Sequence, residues 1–350
     1  MELGILSLSD LQTSLDTGQP VSAAERSDDI ISYAVLADKL GLDLFALGEH
    51  HTLDFAVSSP AVVLATIAAR TERIRLTSAV TVLSVHDPVR VYQDFAQLDL
   101  VSHGRAEIIA GRSAFTEPFA IFGARLHDYD ALFGEKLELL IKLREQSHIT
   151  WSGRFRPPLD DAPIAPRAMQ EPLPVWIGVG GSPESAERAG RLGLPMVLGY
   201  IGGPLNSAQR AVDIYRAAGE RAGHPEKLRL GISTHFFAGA TPEAARSVYP
   251  YYHEYLRPKP PTGRGFFINR ASFLAGTARG QAIMIGSSEE LMEKILDAHQ
   301  LLGIDRFFGQ VDWGGLPREM VEESITRLAT EIAPAVRSAT TPAPAASATR

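Results

Sequence analysis

The sequence predicts a closed (β/α)8 barrel of the TIM type for this chain of 350 residues. Eight short runs rich in leucine and β-branched residues recur, and helical patterns separate most of them. The runs are hydrophobic on both faces, as parallel strands covered by helices are. An open doubly wound sheet is the alternative for the same alternation. The predicted strands are residues 3–8, 44–47, 74–83, 106–110, 175–179, 195–200, 228–237 and 306–311.

The helical patterns show apolar residues at helical spacing and carry recognisable end signals. Four of them are followed by Gly41, Gly193, Gly223 or Gly303. Glycine readily takes the left-handed conformation that ends many helices, so these positions are predicted helix termini. The predicted helices are residues 30–40, 59–70, 89–101, 129–145, 183–192, 206–222 and 288–302.

Two segments exceed ordinary loop lengths and are predicted insertions in the barrel. Residues 147–174 contain six prolines and come after the fourth strand and its helix. Residues 241–281 separate the seventh strand from its helix. Long segments after barrel strands tend to cover the active face. We expect a single domain over residues 1–334, followed by a disordered tail over residues 335–350, which lacks apolar periodicity.

Composition argues against several classes of function. The chain has 34 Lys and Arg against 41 Asp and Glu, without a basic block, so no nucleic-acid partner is expected. It has no cysteine, which excludes disulfides, thiolate-bound zinc and a cysteine nucleophile. The N-terminus lacks a basic leader, and the weakly polar stretch at residues 55–69 is too short for a bilayer. We expect a cytoplasmic protein without a membrane span.

The run Glu49-His50-His51 follows the second predicted strand, where a barrel delivers side chains to its catalytic face. If the strand continued through both histidines, their side chains would point to opposite faces and could not easily bind one metal ion. The usual zinc spacings are also missing. No metal site is therefore predicted, although a metal-dependent hydrolase and a purely structural histidine both remain open alternatives here.

A glycine-rich turn follows the fifth predicted strand and opens a helix. A dinucleotide fingerprint would need glycine at Pro183, so that interpretation fails in detail. Ser182 is a predicted N-cap and Pro183 a predicted first helical residue. The exposed N–H groups, with the hydroxyls of Ser182 and Ser185, suit a phosphate monoester. An ordinary capped turn is the alternative.

Other candidate residues follow neighbouring strands or lie in the second insertion. Arg112 ends the fourth strand and could bind a phosphate or form a surface ion pair. Asp312 and Trp313 follow the eighth strand, where Trp313 could form a pocket wall or fill the core. The aromatic segment at residues 249–255 could line a hydrophobic pocket or pack on a second subunit.

Taken together and in order, these features resemble the bacterial luciferase-like superfamily of flavin-dependent monooxygenases over residues 1 to about 334. Each matching stretch is short, but their order and spacing extend along nearly the whole chain. The stretches are residues 47–51 (LGEHH), 79–83 (AVTVL), 86–90 (HDPVR), 98–105 (LDLVSHGR), 111–113 (GRS), 119–123 (FAIFG), 180–182 (GGS) and 193–196 (GLPM).

The resemblance implies an eight-stranded barrel with FMN at the carboxyl ends of the strands. It implies that His50 is the active-site histidine, a proton donor or acceptor, and that a cis peptide bond joins Ala79 and Val80 beneath the flavin. It further implies reduced FMN and O2 as co-substrates, a separate flavin reductase as partner and a homodimer. The residues it assigns to the cofactor are Glu49, Ala79, Val80, Arg112, Gly180, Gly181, Ser182 and Ser185.

The chain departs from luciferase itself at two positions. Gly111 stands where luciferase has a reactive cysteine, and Gly181 stands where an acid precedes the phosphate-binding serine. Light emission is therefore not implied. A deazaflavin (F420)-dependent dehydrogenase and a non-catalytic flavin-binding protein are the alternatives within the resemblance. We expect the oxidation of a small organic substrate.

Overall fold

The computed structural model describes residues 1–113, 115–258 and 265–341. Its strands are β1 (Glu2–Ser7), β2 (Leu44–Leu47), β3 (Arg75–Val82), β4 (Ala106–Gly111), β5 (His148–Trp151), β6 (Leu159–Pro163), β7 (Val175–Val179), β8 (Met196–Gly199), β9 (Leu230–Gly239), β10 (Met284–Ser287) and β11 (Arg306–Gln310). Eight of them form a closed parallel barrel in the order β1, β2, β3, β4, β7, β8, β9 and β11. The predicted (β/α)8 barrel is confirmed, and the doubly wound alternative is wrong.

The helices cover the outside of the barrel and follow the predicted ones closely. Residues 129–145 and 288–302 are helical with the predicted bounds. All four predicted terminal glycines have positive φ angles. The helices are α1 (Ala23–Lys39), α2 (Pro60–Ala68), α3 (Pro88–Val101), α4 (Glu117–Ile121), α5 (Tyr129–Glu145), α6 (Pro183–Arg191), α7 (Gln209–Arg221), α8 (Pro242–Arg246), α9 (Tyr249–Leu256), α10 (Arg270–Thr277), α11 (Ser288–Leu302), α12 (Arg318–Arg327) and α13 (Ala333–Thr340).

The end of the chain corrects one prediction. The tail was expected to be disordered from residue 335, but α13 continues to Thr340. Pro334 follows the π-helical turn Leu328–Ile332, which joins α12 to α13. Val336 is fully buried, and Arg337 forms an ion pair with Asp43 at 2.7 Å. These contacts hold residues 335–340 in place, whereas residues 342–350 lie outside the described residues.

Both insertions have regular structure. The first contains the antiparallel hairpin β5–β6. The second contains α8, α9 and α10 and leads into β10, which pairs with the last four residues of β9. Tyr252 of α9 bonds His235, and Tyr255 bonds Gln310, so α9 packs over the ends of β9 and β11. Trp313 is fully buried beside these tyrosines. It fills the core, and the pocket-wall interpretation of Trp313 is wrong.

An ion network occupies the N-terminal end of the barrel interior. Glu107 accepts hydrogen bonds from Arg306, at 2.6 Å, and from Arg75. The Arg306 guanidinium also lies over the Trp176 ring, 4.1 Å from its centroid. Burial of Glu107 raises the pKa of its carboxyl, but the two guanidiniums outweigh this effect and the pKa lies below its usual value. This ion network serves stability, since barrel enzymes place their chemistry at the opposite face.

The buried His235 predicts how stability depends on pH. Burial lowers the pKa of His235 to about 4, whereas an unfolded histidine has a pKa near 6.5. On acidification, the unfolded chain therefore takes up a proton on this histidine at a higher pH than the folded protein does. The free energy of unfolding falls by about 3 kcal/mol as pH drops from above 6.5 to below 4. Urea unfolding of His235→Gln should show a correspondingly smaller loss. An unchanged loss would contradict the prediction, and the exposed His148→Gln is the control.

None of the described helices is both long and apolar enough to span a bilayer.

Candidate active site

The run Glu49-His50-His51 lies at the carboxyl end of β2, as predicted, but its geometry differs from the predicted one. β2 ends at Leu47, and residues 48–51 have no regular structure. The strand alternation used to separate His50 from His51 therefore does not apply. His51 lies beside Glu49 and His86.

Glu49 is the centre of a buried hydrogen-bonded cluster. Its Oε1 lies 2.8 Å from His51 Nε2 and 2.6 Å from His86 Nε2. Its Oε2 accepts a hydrogen bond from the Val82 N–H at 3.1 Å. Burial of Glu49 raises the pKa of its carboxyl, but the histidine hydrogen bonds outweigh this and keep the pKa below its usual value. Glu49 is therefore ionised near neutral pH.

His50 lies in an aromatic environment at the same face. Its ring stacks on Phe55 with centroids 3.8 Å apart, and the edge of Phe115 approaches at 5.0 Å. Burial lowers the pKa of His50 to about 4. The imidazole is therefore neutral at neutral pH, where it can accept a proton or donate an N–H hydrogen bond.

The adjoining strand carries an irregularity at the predicted position. The peptide bond between Ala79 and Val80 is cis, and the pairing of β3 with β4 shifts there. The Val80 side chain lies against Gly111 and Gly178. A Cβ atom on Gly111 would come within 2.7 Å of Val80 Cβ. Gly111 therefore cannot carry a larger side chain without a shift of Val80.

The glycine-rich turn has the predicted cap. Ser182 Oγ accepts the N–H of Ser185 at 3.4 Å at the start of α6, with Pro183 in its first turn. Ser182 also donates to the exposed Glu184 carboxylate at 2.7 Å. A Cβ on Gly180 or Gly181 would meet no atom within 4 Å, so the turn is open on that side. A ligand can therefore approach the backbone closely.

Arg112 joins the end of β4 to this turn. Its Nη2 donates to Ser185 Oγ at 2.7 Å, and its Nη1 pairs with the exposed Asp130. Its guanidinium lies over the Tyr129 ring, 4.9 Å from the centroid. Arg112 therefore forms an ion pair and also contacts the helix start, and its binding of a phosphate stays a prediction.

A second arginine, Arg188 on α6, lies close to Arg112 and was not among the predicted site residues. Burial lowers the pKa of Arg188 on α6, and the positive charge of Arg112 lowers it further. Among the described residues, Nη1 of Arg188 is buried without a hydrogen-bond partner. Its position six residues after the Ser182 cap, on the same helix as Ser185, was the available signal. Arg188 lies in the last turn of α6, and its guanidinium lies over the Phe133 ring, 5.4 Å from the centroid.

A cavity of about 500 Å³ adjoins the turn. Its walls include Gly180, Gly181, Tyr200, Ser207 and Arg210. It opens between the ends of β7 and β8 and the start of α7. A ligand held at the α6 N-terminus therefore has room beside it.

A family model described as luciferase-like monooxygenase matches residues 1–306. N-acetyl-S-alkylcysteine monooxygenase of Bacillus subtilis is 26% identical over 93% of this chain and 89% of its own. The oxygenase component of flavin-dependent trigonelline monooxygenase from Acinetobacter baylyi is 21% identical over 88% and 89%. An uncharacterized protein of Sinorhizobium fredii, y4vJ, is 33% identical, but the match spans only 47% of each chain.

Solved structures show the same fold. Monooxygenase RslO1 from Streptomyces bottropensis superimposes with a TM-score of 0.78 at 23% identity, covering 95% of this chain and 99% of its own. The oxygenating constituent of 3,6-diketocamphane monooxygenase from Pseudomonas putida, in complex with FMN, gives 0.76 at 19% identity, over 95% and 98%. An F420-dependent secondary alcohol dehydrogenase gives 0.71 at 15%, over 96% and 99%.

The family match covers most of the chain, and the relatives that carry names are monooxygenases and other oxidoreductases. The barrel and its cis peptide bond agree with what the sequence resemblance implied. The chain therefore belongs to the luciferase-like monooxygenase family and is an oxidoreductase.

Proposed function

We propose that the protein is a monooxygenase that uses reduced FMN and O2 to oxidise a small organic substrate, with reduced flavin delivered by a separate reductase. One observation carries the proposal: a capped helix start beside Arg112 and an aromatic-lined histidine occur at the same end of the barrel. The irregularity at Ala79–Val80 lies between them, because Val80 contacts Gly111 and Gly178. The named relatives support the reaction class, since one is the oxygenase component of a flavin-dependent enzyme.

The residues present fit FMN. The phosphate would be held by Arg112, Ser185 and the α6 N–H groups beside Ser182, because charge-assisted bonds and a helix start both favour an anion. Gly180 and Gly181 leave space beside the turn. When bound, reduced flavin supplies the reactivity toward O2.

The protein itself then has three tasks: to hold the cofactor, to exclude water and to transfer a proton. We assign proton transfer to His50, whose imidazole is neutral and enclosed by Phe55 and Phe115. The same rings reduce access of water to that imidazole. Glu49 and its two histidine partners hold the start of this loop against β3 through the Val82 N–H.

The alternative is a deazaflavin-dependent dehydrogenase, which the F420-dependent structural relative supports. It transfers hydride and does not use O2. Titration with FMN and with F420 separates the two, since micromolar affinity for only one decides the cofactor. A non-catalytic flavin-binding protein would bind FMN without substrate-dependent consumption of O2 when reduced FMN is supplied.

Arg112→Ala should weaken FMN binding about 10- to 150-fold and change riboflavin binding little. Losing a charge-assisted hydrogen bond costs about 1.5 to 3 kcal/mol of binding free energy. Riboflavin lacks the phosphate, so it has no such bond to Arg112. Fluorescence titration with both ligands measures the difference. Arg279→Ala is the control, because Arg279 is exposed and pairs with Asp297 elsewhere. Equal losses for both ligands would remove Arg112 from the phosphate site.

We also propose a homodimer formed through the outer helices. Val62 on α2 is 65% exposed and Val101 on α3 is 49% exposed, and these two helices pack together. Light scattering should give twice the chain mass of 37.9 kDa at micromolar concentration. Val62→Glu should shift the species toward monomer, because it would bury a charge at the interface. A wild-type monomer would refute the dimer.

A further inference from the structure

We infer that Glu49, His51 and His86 form a binding site for a divalent transition-metal ion of the zinc class. Their ligand atoms, one carboxylate oxygen and two imidazole nitrogens, all lie within 4.8 Å of one another. The inference goes beyond the flavin function proposed above, in which Glu49 and its two histidine partners only hold the loop that carries His50.

The donor set is a suitable one. Zn²⁺ prefers imidazole nitrogen and carboxylate oxygen, and sites with three protein ligands leave a position for water. In a tetrahedral site with ligand bonds near 2.1 Å, ligand atoms lie roughly 3.4 Å apart. Oε1 now lies 2.8 and 2.6 Å from the two Nε2 atoms, so each imidazole must retreat by about 0.6 to 0.8 Å.

The surroundings prepare the carboxylate for this role. The Val82 N–H holds Oε2, which leaves Oε1 directed at both histidines. Metal sites depend on such outer contacts to orient their ligands. The Glu49 side chain is 2% exposed and that of His51 is 5% exposed. Few water molecules can therefore compete with a metal ion for the carboxylate.

An entry path and an apolar cover are both present. The His86 side chain is 24% exposed, so an ion can reach the cluster from that side. The Phe122 ring meets the His51 and His86 rings edge-on at 4.9 and 5.0 Å. An apolar shell of this kind limits solvent access to a bound ion.

The sequence spacing explains why the site is not evident in the primary structure. Glu49 and His51 follow β2, whereas His86 follows β3, its neighbour in the barrel. His50, which the sequence analysis grouped with His51, has no part in the site. The ligand pattern is thus Glu-x-His with a distant histidine, which none of the common zinc motifs contains.

The test is a titration of the flavin-free full-length protein with Co²⁺, followed by Zn²⁺. We expect one equivalent of Co²⁺ to produce visible absorption bands and one equivalent of Zn²⁺ to abolish them. His86→Ala and His51→Ala should each weaken Zn²⁺ binding by more than about 100-fold, since losing an outer partner alone costs 10- to 100-fold. His148→Ala, which removes an exposed histidine on β5, should bind as the wild type does.

Absence of saturable Co²⁺ binding by the wild type would overturn the site, as would unchanged affinity in a folded His86→Ala. Circular dichroism establishes folding of each variant. If both variants fail to fold, X-ray absorption of the Co²⁺-loaded wild type decides: two imidazoles and one carboxylate support the site, and any other protein ligand set overturns it. Because no flavin is present, failure here leaves the proposed flavin function untouched.

Discussion

Replacing His50 with alanine is expected to lower substrate-dependent turnover by about 10²- to 10⁴-fold, the usual cost of losing a general acid or base. FMN affinity should change little, because the residues proposed to hold the phosphate are Arg112 and Ser185, which bond each other and not His50. The assay is oxygen consumption with chemically reduced FMN, so that a missing reductase is not mistaken for an inactive enzyme. FMN affinity is measured separately by fluorescence.

His127→Ala is the matched control for this variant, because it removes an exposed histidine outside the His50 environment. It should keep wild-type turnover. A wild-type rate in His50→Ala would end its assignment as the proton-transfer residue. If His50→Ala lowers both the melting temperature and the affinity for FMN, the stack of His50 on Phe55 serves the fold.

Replacing Glu107 with alanine is expected to lower the free energy of unfolding by about 3 to 5 kcal/mol, the cost of breaking a buried ion pair. Arg306 would lose its buried partner inside the barrel, and only Glu2 would remain beside it. Urea unfolding at pH 7 measures the change. FMN affinity of the folded fraction should stay the same, because the network lies at the opposite end from Arg112.

Glu2→Ala is the comparison, since it removes the more exposed partner of the same arginine. We expect a loss of at most about 1 kcal/mol, as for other solvent-screened pairs. Equal losses in the two variants would show that burial does not decide the strength of this network. The Glu107 pair also weakens on acidification: its contribution is complete above the ordinary carboxylate pKa and is lost as pH falls through the lowered one.

Local signals in the sequence were sufficient for most of the barrel. Strands such as β2 and β7 and helices such as α5 and α11 have the predicted bounds, because strand-like runs and helical periodicity are local patterns. β10 was not predicted, and it lies outside the barrel, where it pairs only with the end of β9. The helices α12 and α13, which follow β11, were not among the predicted helices.

At the candidate site, the sequence predicted residues that share a short segment. Ser182 caps α6, and Pro183 follows it, because both roles depend on neighbouring backbone groups. The family resemblance added the cis bond between Ala79 and Val80, which local periodicity does not reveal. The cofactor residues as a set remain a prediction.

The sequence by itself determined the eight strands, most of their helices and the segments that end at the barrel mouth, because each depends on residues close together in the chain. Only the tertiary structure decided which of those side chains meet. Glu49 and His86 are brought together by the pairing of β2 with β3, and Arg112 reaches Ser185 because β4 pairs with β7. Contacts of this kind depend on strand adjacency and on where each strand ends, and neither is recorded in a local pattern.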